Sequence, residues 1–599
     1  MIIMGKFKQN SSTDTEPKVK IGVLKEETLN YYRRVSQSLD GGFDNEEDKN
    51  LFVNNVVSQL NEEAISVAQN QTASRIIEDL ITLCDKDQVR CLITAFSQDW
   101  YTVCTDRFAS HVLQKLLMTL PGYLSKSGES TLRDKDNNKD EKTLEQLLLL
   151  LCDFVEEHIE QFVSHMYASH IVRVLLEVVG GVSVEEKLVR SKLSRGQNKE
   201  QKEMFKPCDM PEPVKEKLST LTDNIMSLNN LEGCLTETLS TTVIQTLLLV
   251  LHRRNPQLCQ EHCQKILQVS SLLSDTSAED TEDSGLPPLV QNVSGSYLME
   301  QLLALSSETV HQEMMTKLFQ GKALLFAVDP QANFVLQKVF TTIKDSNQFK
   351  VLFKELSHHI EDILAIHHLG VISKVAETCQ RLACCQDKFV KHLQKAFHCY
   401  KPEERRKSIV PLLSSLSTYE VLYNTDSPKG GKMSESSIEK PAPLKPPLSQ
   451  VNLHGSVILQ HMLRFEDPSP AVDSLLSLDP VQLVQLACNP CGSHIVDTFY
   501  KSSSVSGNCK EQMIQRLKGC YLELACSKNG SRALQTIWDC SSLKQKTGLA
   551  EELSKHESKL QGDQFGRFMH RNFAIYHFIH RRKDWRELQG AKIKKTQNV

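Results

Sequence analysis

One short pattern of polar, planar and apolar side chains returns along this chain of 599 residues. Its clearest copy is Ala109-Ser110-His111-Val112-Leu113-Gln114. We term each copy a frame and count from the residue after the small one, so that Ser110 is first, His111 second and Gln114 fifth. Short hydroxyl and amide groups can bracket a base edge, and a ring or guanidinium can stack on a base face, which contributes on the order of 1–3 kcal/mol. The pattern therefore suits the binding of unpaired bases.

The frame recurs about eleven times at an undisturbed spacing of about 36 to 38 residues, a period typical of repeat proteins. The clear copies have these first positions: Ser74, Ser110, Ser169, Ser296, Asn333, Ser456, Ser493, Ser531 and Arg567. Weaker copies are Ser240-Thr241-Thr242-Val243-Ile244-Gln245 and Gly370-Val371-Ile372-Ser373-Lys374-Val375. Any exposed helix carries such polar residues, so one frame alone indicates little. The recurrence of the whole pattern is what favours a binding function.

Each frame must sit on a helix, because two adjacent apolar residues between polar positions four apart do not alternate as a strand would. The first and fifth positions then lie one turn apart on one face, and the second lies about 100° around from the first. The apolar pair points into a core. We therefore expect each frame to expose two short polar groups and one planar group, and the stacked repeats to align these groups in a row.

Three frames resemble the base-reading helix of Pumilio-repeat (PUF) proteins: Ser74-Arg75-Ile76-Ile77-Glu78, Asn333-Phe334-Val335-Leu336-Gln337 and Ser531-Arg532-Ala533-Leu534-Gln535. With about eleven repeats, large insertions and degenerate copies, the chain is most similar to the nucleolar protein 9 family within that group. The resemblance spans roughly residues 46 to 590. It implies an all-α fold, a right-handed α-solenoid superhelix of about eleven three-helix repeats, in which the first, second and fifth positions touch RNA.

Carried over residue by residue, the resemblance implies RNA contacts in most frames. The implied contacts in the first five frames are Ser74, Arg75, Glu78, Ser110, His111, Gln114, Ser169, His170, Arg173, Thr241, Gln245, Ser296, Tyr297 and Glu300. Those in the later frames are Asn333, Phe334, Gln337, Ser456, Gln460, Ser493, His494, Ser531, Arg532, Gln535, Arg567 and Arg571.

The same resemblance implies a base for several frames. Ser with Glu favours guanine, Asn with Gln uracil, and Ser with Gln adenine. These pairs are Ser74/Glu78 and Ser296/Glu300 for guanine, Asn333/Gln337 for uracil, and Ser110/Gln114, Ser456/Gln460 and Ser531/Gln535 for adenine. The frames with Arg173, Asp497, or Arg567 and Arg571 lie outside this code, and those with arginine suit phosphates better. We expect a few specified bases joined by backbone contacts.

Composition divides the chain into a polar N-terminal segment at 1–45, the repeat region at 46–590 and a basic C-terminal tail at 591–599. Insertions are expected near 125–142, 183–213, 274–288 and 425–450, because these stretches are charged or rich in Ser and Pro and lack periodicity. The net charge of −4 is unusual for a nucleic-acid binder. The signs are segregated, however, with acids in the third insertion and cations at the C-terminus.

Eighteen scattered cysteines without a disulfide framework indicate a reducing compartment. We expect a soluble intracellular monomer without a membrane segment, since no apolar run is long enough. Cys488-Asn489-Pro490-Cys491 with His494 could suggest zinc or redox chemistry, but no second cysteine pair follows at finger spacing. No phosphate loop, nucleophile elbow or zinc-protease motif is present, so we expect no enzyme and no cofactor.

The family resemblance implies a nucleolar protein of the nucleus that covers a pre-rRNA segment of the small subunit, with other pre-ribosomal proteins as further partners. Two alternatives stay open. One is a HEAT- or armadillo-like scaffold that binds protein, which would need no repeated polar and planar frame. The other is a cytoplasmic Pumilio regulator of messenger RNA, against which the insertions and the unfinished base code count.

Overall fold

The structure is a computed structural model that describes residues 22–125, 142–184, 207–272, 285–423 and 448–597. Within these ranges the chain forms helices and no strand, which confirms the predicted all-α fold. No helix in the described ranges is both long and apolar enough to cross a membrane. The four predicted insertions lie largely outside the described residues, as do residues 1–21.

The helices before residue 273 are short to medium in length. They are α1 Glu26–Gly41, α2 Glu46–Asn61, α3 Ala64–Ala68, α4 Gln71–Ile81, α5 Lys86–Phe96, α6 Trp100–Thr105, α7 Ala109–Leu124, α8 Leu144–Glu157, α9 Ile159–Phe162, α10 Ala168–Gly180, α11 Glu212–Met226, α12 Leu231–Cys234, α13 Thr238–Arg254 and α14 Pro256–Val269.

The helices after residue 284 have a similar range of lengths. They are α15 Pro288–Gln291, α16 Val293–Leu305, α17 Glu308–Met314 with a π-helical turn Met315–Phe319, α18 Ala323–Val328, α19 Ala332–Thr342, α20 Ser346–Leu356, α21 Ile360–Ala365, α22 Leu369–Arg381, α23 Gln386–Ala396, a 3₁₀ helix Glu403–Ser408, α24 Ile409–Ser415, α25 Tyr419–Leu422, α26 Leu453–Met462, α27 Ser469–Ser477, α28 Pro480–Cys488, α29 Gly492–Lys501, α30 Gly507–Arg516, α31 Tyr521–Ala525, α32 Lys528–Asp539, α33 Leu543–Ser554, α34 Glu557–Gly562, α35 Gln564–Asn572, α36 Ile575–His580 and α37 Arg582–Gln597.

The chain forms two compact units, Met1–Ser274 with Asn292–Ser307, and Asp275–Gln291 with Glu308–Val599. In both units the last helix of each repeat carries the frame, and we term it the third helix. In the first unit the third helices α4, α7, α10, α13 and α16 pack each on the next. In the second unit α19, α22, α26, α29, α32 and α35 do the same. The predicted alignment of frames therefore holds within each unit.

An N-cap residue sets where several third helices begin. Asn70 accepts hydrogen bonds from the backbone N–H groups of Thr72 and Ala73, at 2.9 and 3.1 Å. Asp563 caps α35 in the same way through Phe565 and Gly566. Each cap satisfies N–H groups that the helix itself leaves without partners. The cap therefore fixes the register in which each frame meets its neighbours.

The small residue that opens each frame permits a close helix contact. A Cβ placed on Gly455 in α26 would lie 1.9 Å from the carbonyl oxygen of Leu413, and one on Gly492 would lie 2.2 Å from that of Leu486. The apolar pair of the frame is fully buried, as at Val112 and Leu113. Their burial supplies the hydrophobic stabilisation that holds each repeat on the next.

Helices extend into both terminal segments within the residues that the structure describes. Helix α1 packs on α4, with Tyr32 and Val35 buried, inside the segment predicted to be polar and separate. Helix α37 continues past residue 590, and its Trp585 is fully buried. The Trp585 Nε1 donates a hydrogen bond to the Phe573 carbonyl at 2.9 Å. Apolar faces that contact the neighbouring repeat explain both departures from the expected boundaries.

Candidate nucleic-acid interface

Most second positions of the frames carry exposed planar or cationic side chains. Arg75, His111, His170, Phe334, His494 and Arg532 are exposed, whereas Tyr297 is half-buried. Phe334 is 50% exposed, which is unusual for a phenylalanine in a helix of a packed repeat. Its exposed ring offers a flat apolar face on which another ring can stack.

The first positions of nine frames are buried, contrary to the prediction that each frame exposes two short polar groups. This holds for Ser74, Ser110, Ser169, Thr241, Ser296, Asn333, Ser456, Ser493 and Ser531. The neighbouring third helix covers these short side chains, and most hydroxyls turn back to their own helix. Ser296 donates to the Val293 carbonyl at 2.8 Å, and Ser531 donates to that of Lys528 at 3.1 Å. Such backbone bonds satisfy a serine hydroxyl without solvent.

The fifth positions are mostly half-exposed, and in two frames the first position orients them. Gln337 donates from Nε2 to Asn333 Oδ1 at 3.0 Å, and Gln460 donates from Nε2 to Ser456 Oγ at 3.1 Å. Each glutamine amide has two donors and one carbonyl oxygen. Because Nε2 is directed to the first position, the Oε1 atom is available for an outside donor. Glu78, Gln114, Arg173, Glu300 and Gln535 are likewise partly exposed.

The second frame retains hydrogen-bonding capacity that the described residues do not use. Ser110 Oγ and Gln114 Nε2 are both buried without a hydrogen-bond partner. A buried polar group without a partner costs stability unless something else satisfies it. The tenth frame differs, because Gln535 donates to Asp539 at 2.9 Å and accepts from Asn572 at 3.3 Å.

The fourth frame does not present its fifth position. Gln245 is 2% exposed, and the Thr241 hydroxyl donates to the carbonyls of Cys234 and Glu237. Gln301 of the next third helix donates to the Gln245 carbonyl at 2.6 Å. The packing of α13 between its neighbours therefore covers the side chains of Thr241 and Gln245, both of which the family resemblance implied as RNA contacts.

The frames with arginine behave in two ways. The Arg173 Nε donates to Thr246 Oγ1 on α13 at 3.2 Å, so this arginine bridges two third helices. Arg567 and Arg571 of the eleventh frame are exposed instead. Phe568, at the second position between them, is 52% exposed, and its ring centroid lies 5.3 Å from Arg571 Cζ. Phe568 was missing from the predicted contacts, although its place in the frame identifies it.

The seventh frame begins two residues earlier than the sequence predicts. Val371 and Ile372 are fully buried, so they are the apolar pair and not the first and second positions. Leu369 is then first, Gly370 second and Ser373 fifth. A Cβ on Gly370 would lie 2.4 Å from Gln337 Oε1, so a side chain there would require the Gln337 amide to move. The distance from Asn333 to Leu369, one regular period, could have revealed this register.

Burial raises the pKa of Glu78 above its ordinary value, although the positive charges of Lys115 and Arg75 act against this effect. The carboxylate thus sits half-buried beside two cations. Cys488 and Cys491, whose spacing resembles that of zinc ligands or a redox pair, are half-buried in the second unit. The described residues contain no group of three or more His, Cys, Asp or Glu that could hold a metal ion.

The chain is similar to known PUF-repeat proteins over nearly its whole length. The profile of the NOP9-like PUF repeat domain matches residues 62–568. Nucleolar protein 9 of Homo sapiens is 31% identical over 578 residues, which cover 96% of this chain and 90% of that protein. Pumilio homolog 23 of Arabidopsis thaliana is 23% identical over 593 residues, covering 94% of this chain and 73% of that protein.

The solved structure of APUM23-GGAGUUGACGG has a TM-score of 0.73 at 21% identity, and the match covers 95% of this chain and all of that chain. This likeness confirms the predicted Pumilio-like α-solenoid of three-helix repeats. The PUF repeat family is not an enzyme family. The profile match and the similarity to nucleolar protein 9 agree with the frames, and the chain belongs to the family of proteins with a NOP9-like PUF repeat domain.

Proposed function

We propose that this protein binds single-stranded RNA through the second and fifth positions of its third helices. The observation that carries the proposal is the repeated exposure of a ring or guanidinium beside a half-exposed amide or carboxylate, on helices that pack side by side within each unit. Stacking and edge contacts of this kind are how repeat proteins read unpaired bases. A protein-binding scaffold would not need a planar group at one register of each repeat.

In this proposal the first position orients the fifth and the fifth meets the base. Asn333 is an example of an orienting first position. Its Nδ2 donates to the carbonyls of Asp329 and Pro330, both at 2.9 Å, which fixes the side chain. Its Oδ1 is left to accept from Gln337 Nε2, so that the Gln337 Oε1 is not used by this pair. A carbonyl oxygen there can accept the N3–H of uracil, which agrees with the base that the family code gives this frame.

The RNA need not contact every repeat. Gly370 offers no stacking group, and Gln245 is buried, so two repeats lack the groups that would read a base. The eleventh frame offers Arg567 and Arg571, which suit phosphates. A few specified bases separated by backbone contacts fit this distribution better than a continuous readout does. The APUM23 structure was solved with the sequence GGAGUUGACGG, which supports an RNA ligand for this fold.

We further propose that the RNA is a small-subunit precursor of ribosomal RNA in the nucleolus, covered by the protein until a nuclease is due to cut it. The name nucleolar protein 9, carried by relatives in mammals and fungi, supports this compartment. Crosslinking followed by sequencing of the bound RNA tests the target. Enrichment of messenger RNA over precursor ribosomal RNA would contradict it and favour the cytoplasmic alternative.

Replacing Arg75, His111, Phe334 and Arg532 together by alanine tests RNA binding itself. All four side chains are exposed, so the variant keeps its core, and we expect at least a hundred-fold loss of affinity, since each stacking contact contributes about 1–3 kcal/mol. The control replaces Lys86 and Lys350, which are exposed residues of first helices, by alanine. It therefore removes two permanent positive charges, as many as the test variant does. Equal affinity of both variants for the crosslinked RNA, with unchanged circular dichroism, would reject the proposal.

A further inference from the structure

A basic surface lies in the eighth repeat, away from the row of third helices. Helix α23 and the segment after it, residues 386–408, contain seven cations against the three acids Asp387, Glu403 and Glu404. The seven are Lys388, Lys391, Lys395, Lys401, Arg405, Arg406 and Lys407. Helix α23 packs on α21 and α22 at the start of its repeat and carries no frame. The function proposed above therefore leaves this charge unexplained.

Three of these cations converge on one ring. The Nζ atoms of Lys391 and Lys395 lie 5.7 and 5.9 Å from the centroid of Tyr400, and Arg406 Cζ lies 4.7 Å from it. We term these four residues the Tyr400 cluster. Both lysines are exposed, and the ring is half-buried. One ring can favourably hold a cation over a face, but three like charges around it repel one another.

Two nearby carboxylates, Glu361 and Glu420, are engaged with groups outside the Tyr400 cluster. His398 contacts Glu420 at 2.8 Å and Glu361 at 3.1 Å, and Arg405 pairs with Glu420 at 2.7 Å. Within the Tyr400 cluster, Arg406 pairs with the well-exposed Glu403 at 3.2 Å. Neither Lys391 nor Lys395 makes an ion pair with any residue that the structure describes.

The positive charge of the cluster acts on its surroundings. Partial burial, and after it the positive charges of His358, Lys395 and Lys391, lower the pKa of His392. His392 lies between the two lysines in sequence, on the same helix, and its ring is 4.6 Å from that of His358. The local field thus disfavours a further positive charge and attracts an anion.

We propose that the Tyr400 cluster binds phosphates of an RNA strand, at a site separate from the row of frames. The inference rests on the proposed RNA function, which brings a ligand with one negative charge per nucleotide to this protein. Lys391 and Lys395 are one helical turn, about 6 Å, apart along the helix axis, so each can meet its own phosphate. Arg406 is held in place by its Nε, which donates to the Tyr400 carbonyl at 3.0 Å. Binding here is independent of base sequence.

The test uses poly(U) as the probe and the variant Lys391→Gln/Lys395→Gln of the full chain. Both side chains are exposed, so the fold is kept. We expect a roughly five-fold loss of affinity, and a fall of about 1.4 in the slope of log affinity against log salt, since each phosphate contact on a single strand contributes about 0.7. The matched control is Lys350→Gln/Lys354→Gln, the same spacing on the first helix α20 without a tyrosine, and it should change neither quantity.

The same change is then made in the variant of Arg75, His111, Phe334 and Arg532. A persisting loss there separates this site from the row of frames, so each proposal can fail by itself. Unchanged affinity and salt slope in the Lys391→Gln/Lys395→Gln variant would overturn the inference, as would an equal loss in the control. If poly(U) binding is unchanged but binding of polyglutamate falls, the surface belongs to an acidic protein and the RNA proposal is wrong.

Discussion

Gln337 donates a hydrogen bond from Nε2 to the Oδ1 of Asn333, one helical turn earlier on α19, over 3.0 Å. Asn333 is 3% exposed, whereas Gln337 is half-exposed, so the pair has an inner and an outer member. The inner residue fixes the orientation of the outer amide by holding its Nε2. A buried residue therefore determines the chemistry that the surface offers.

Changing this pair should change the base that the sixth repeat prefers. In Asn333→Ser/Gln337→Glu the outer group becomes a carboxylate, which accepts from the N1–H and N2–H₂ of guanine and repels the uracil oxygens. We expect the preference to move from uracil to guanine by about 1–3 kcal/mol. Fluorescence anisotropy with RNAs that differ only at that base measures the change. If the double variant keeps the uracil preference, the fifth position does not read the base.

The guanine preference of the first frame should depend on pH. Burial, the largest effect, raises the pKa of Glu78, and the carboxylate must be ionised to accept two guanine donors. Binding to guanine is therefore strong above this pKa and declines as the pH falls through it. Because the pKa is raised, the decline begins at a higher pH than for an ordinary glutamate, whose pKa is about 4.3.

Lys115→Met should move that decline to still higher pH, since the Lys115 charge lowers the pKa of Glu78. Titration of affinity from about pH 7.5 to about pH 5, with guanine or adenine at the contacted base, gives the midpoint. Glu78→Gln is the control. In this variant the pH dependence of guanine binding should match that of adenine binding over that range. An unaltered midpoint in Lys115→Met would show that Glu78 does not carry the pH dependence.

The small residue at the start of the eighth frame should be essential for stability. Gly455→Ala places a Cβ 1.9 Å from the Leu413 carbonyl oxygen, a backbone atom that cannot rotate away. We expect a loss of about 3 kcal/mol or more in the free energy of unfolding, measured by urea denaturation. Gly548→Ala is the matched control, because Gly548 is exposed within α33 and meets nothing within 4 Å. This control should gain about 0.5–1 kcal/mol.

The C-terminal helix should be required for the end of the second unit. Trp585 is fully buried, and the Trp538 and Phe573 rings stack at 4.0 Å beneath it. Trp585→Ala should cost about 3–5 kcal/mol, whereas Trp585→Phe, which keeps one ring but loses the bond to the Phe573 carbonyl, should cost less, about 1–3 kcal/mol. Urea unfolding followed by tryptophan fluorescence compares them. Equal stability of the two variants would mean that α37 is only loosely attached.

The period of the repeats, the helical frame and the buried apolar pair follow from the sequence, because spacing along a helix fixes which residues share a face. Helical spacing located the exposed second positions, such as Arg75 and Arg532, and the residues of the frames indicated the family by resemblance. It could not place the seventh frame, where Gly370 resembles the small opening residue but occupies the second position. Local composition was ambiguous there by two residues, and the burial of Val371 and Ile372 resolved it.

What the tertiary structure decided is which polar groups face outward. Sequence periodicity treats the first and fifth positions alike, yet Ser74 is buried and Glu78 is half-exposed. The difference arises because the first position lies on the packed side of its helix, next to the small residue on which a preceding helix packs closely, as Leu486 does at Gly492. The tertiary structure also brings Lys391, Lys395 and Arg406 together at Tyr400. Sequence spacing could not show this, because the two lysines lie on a helix and the other two residues lie on the segment that folds back beside it.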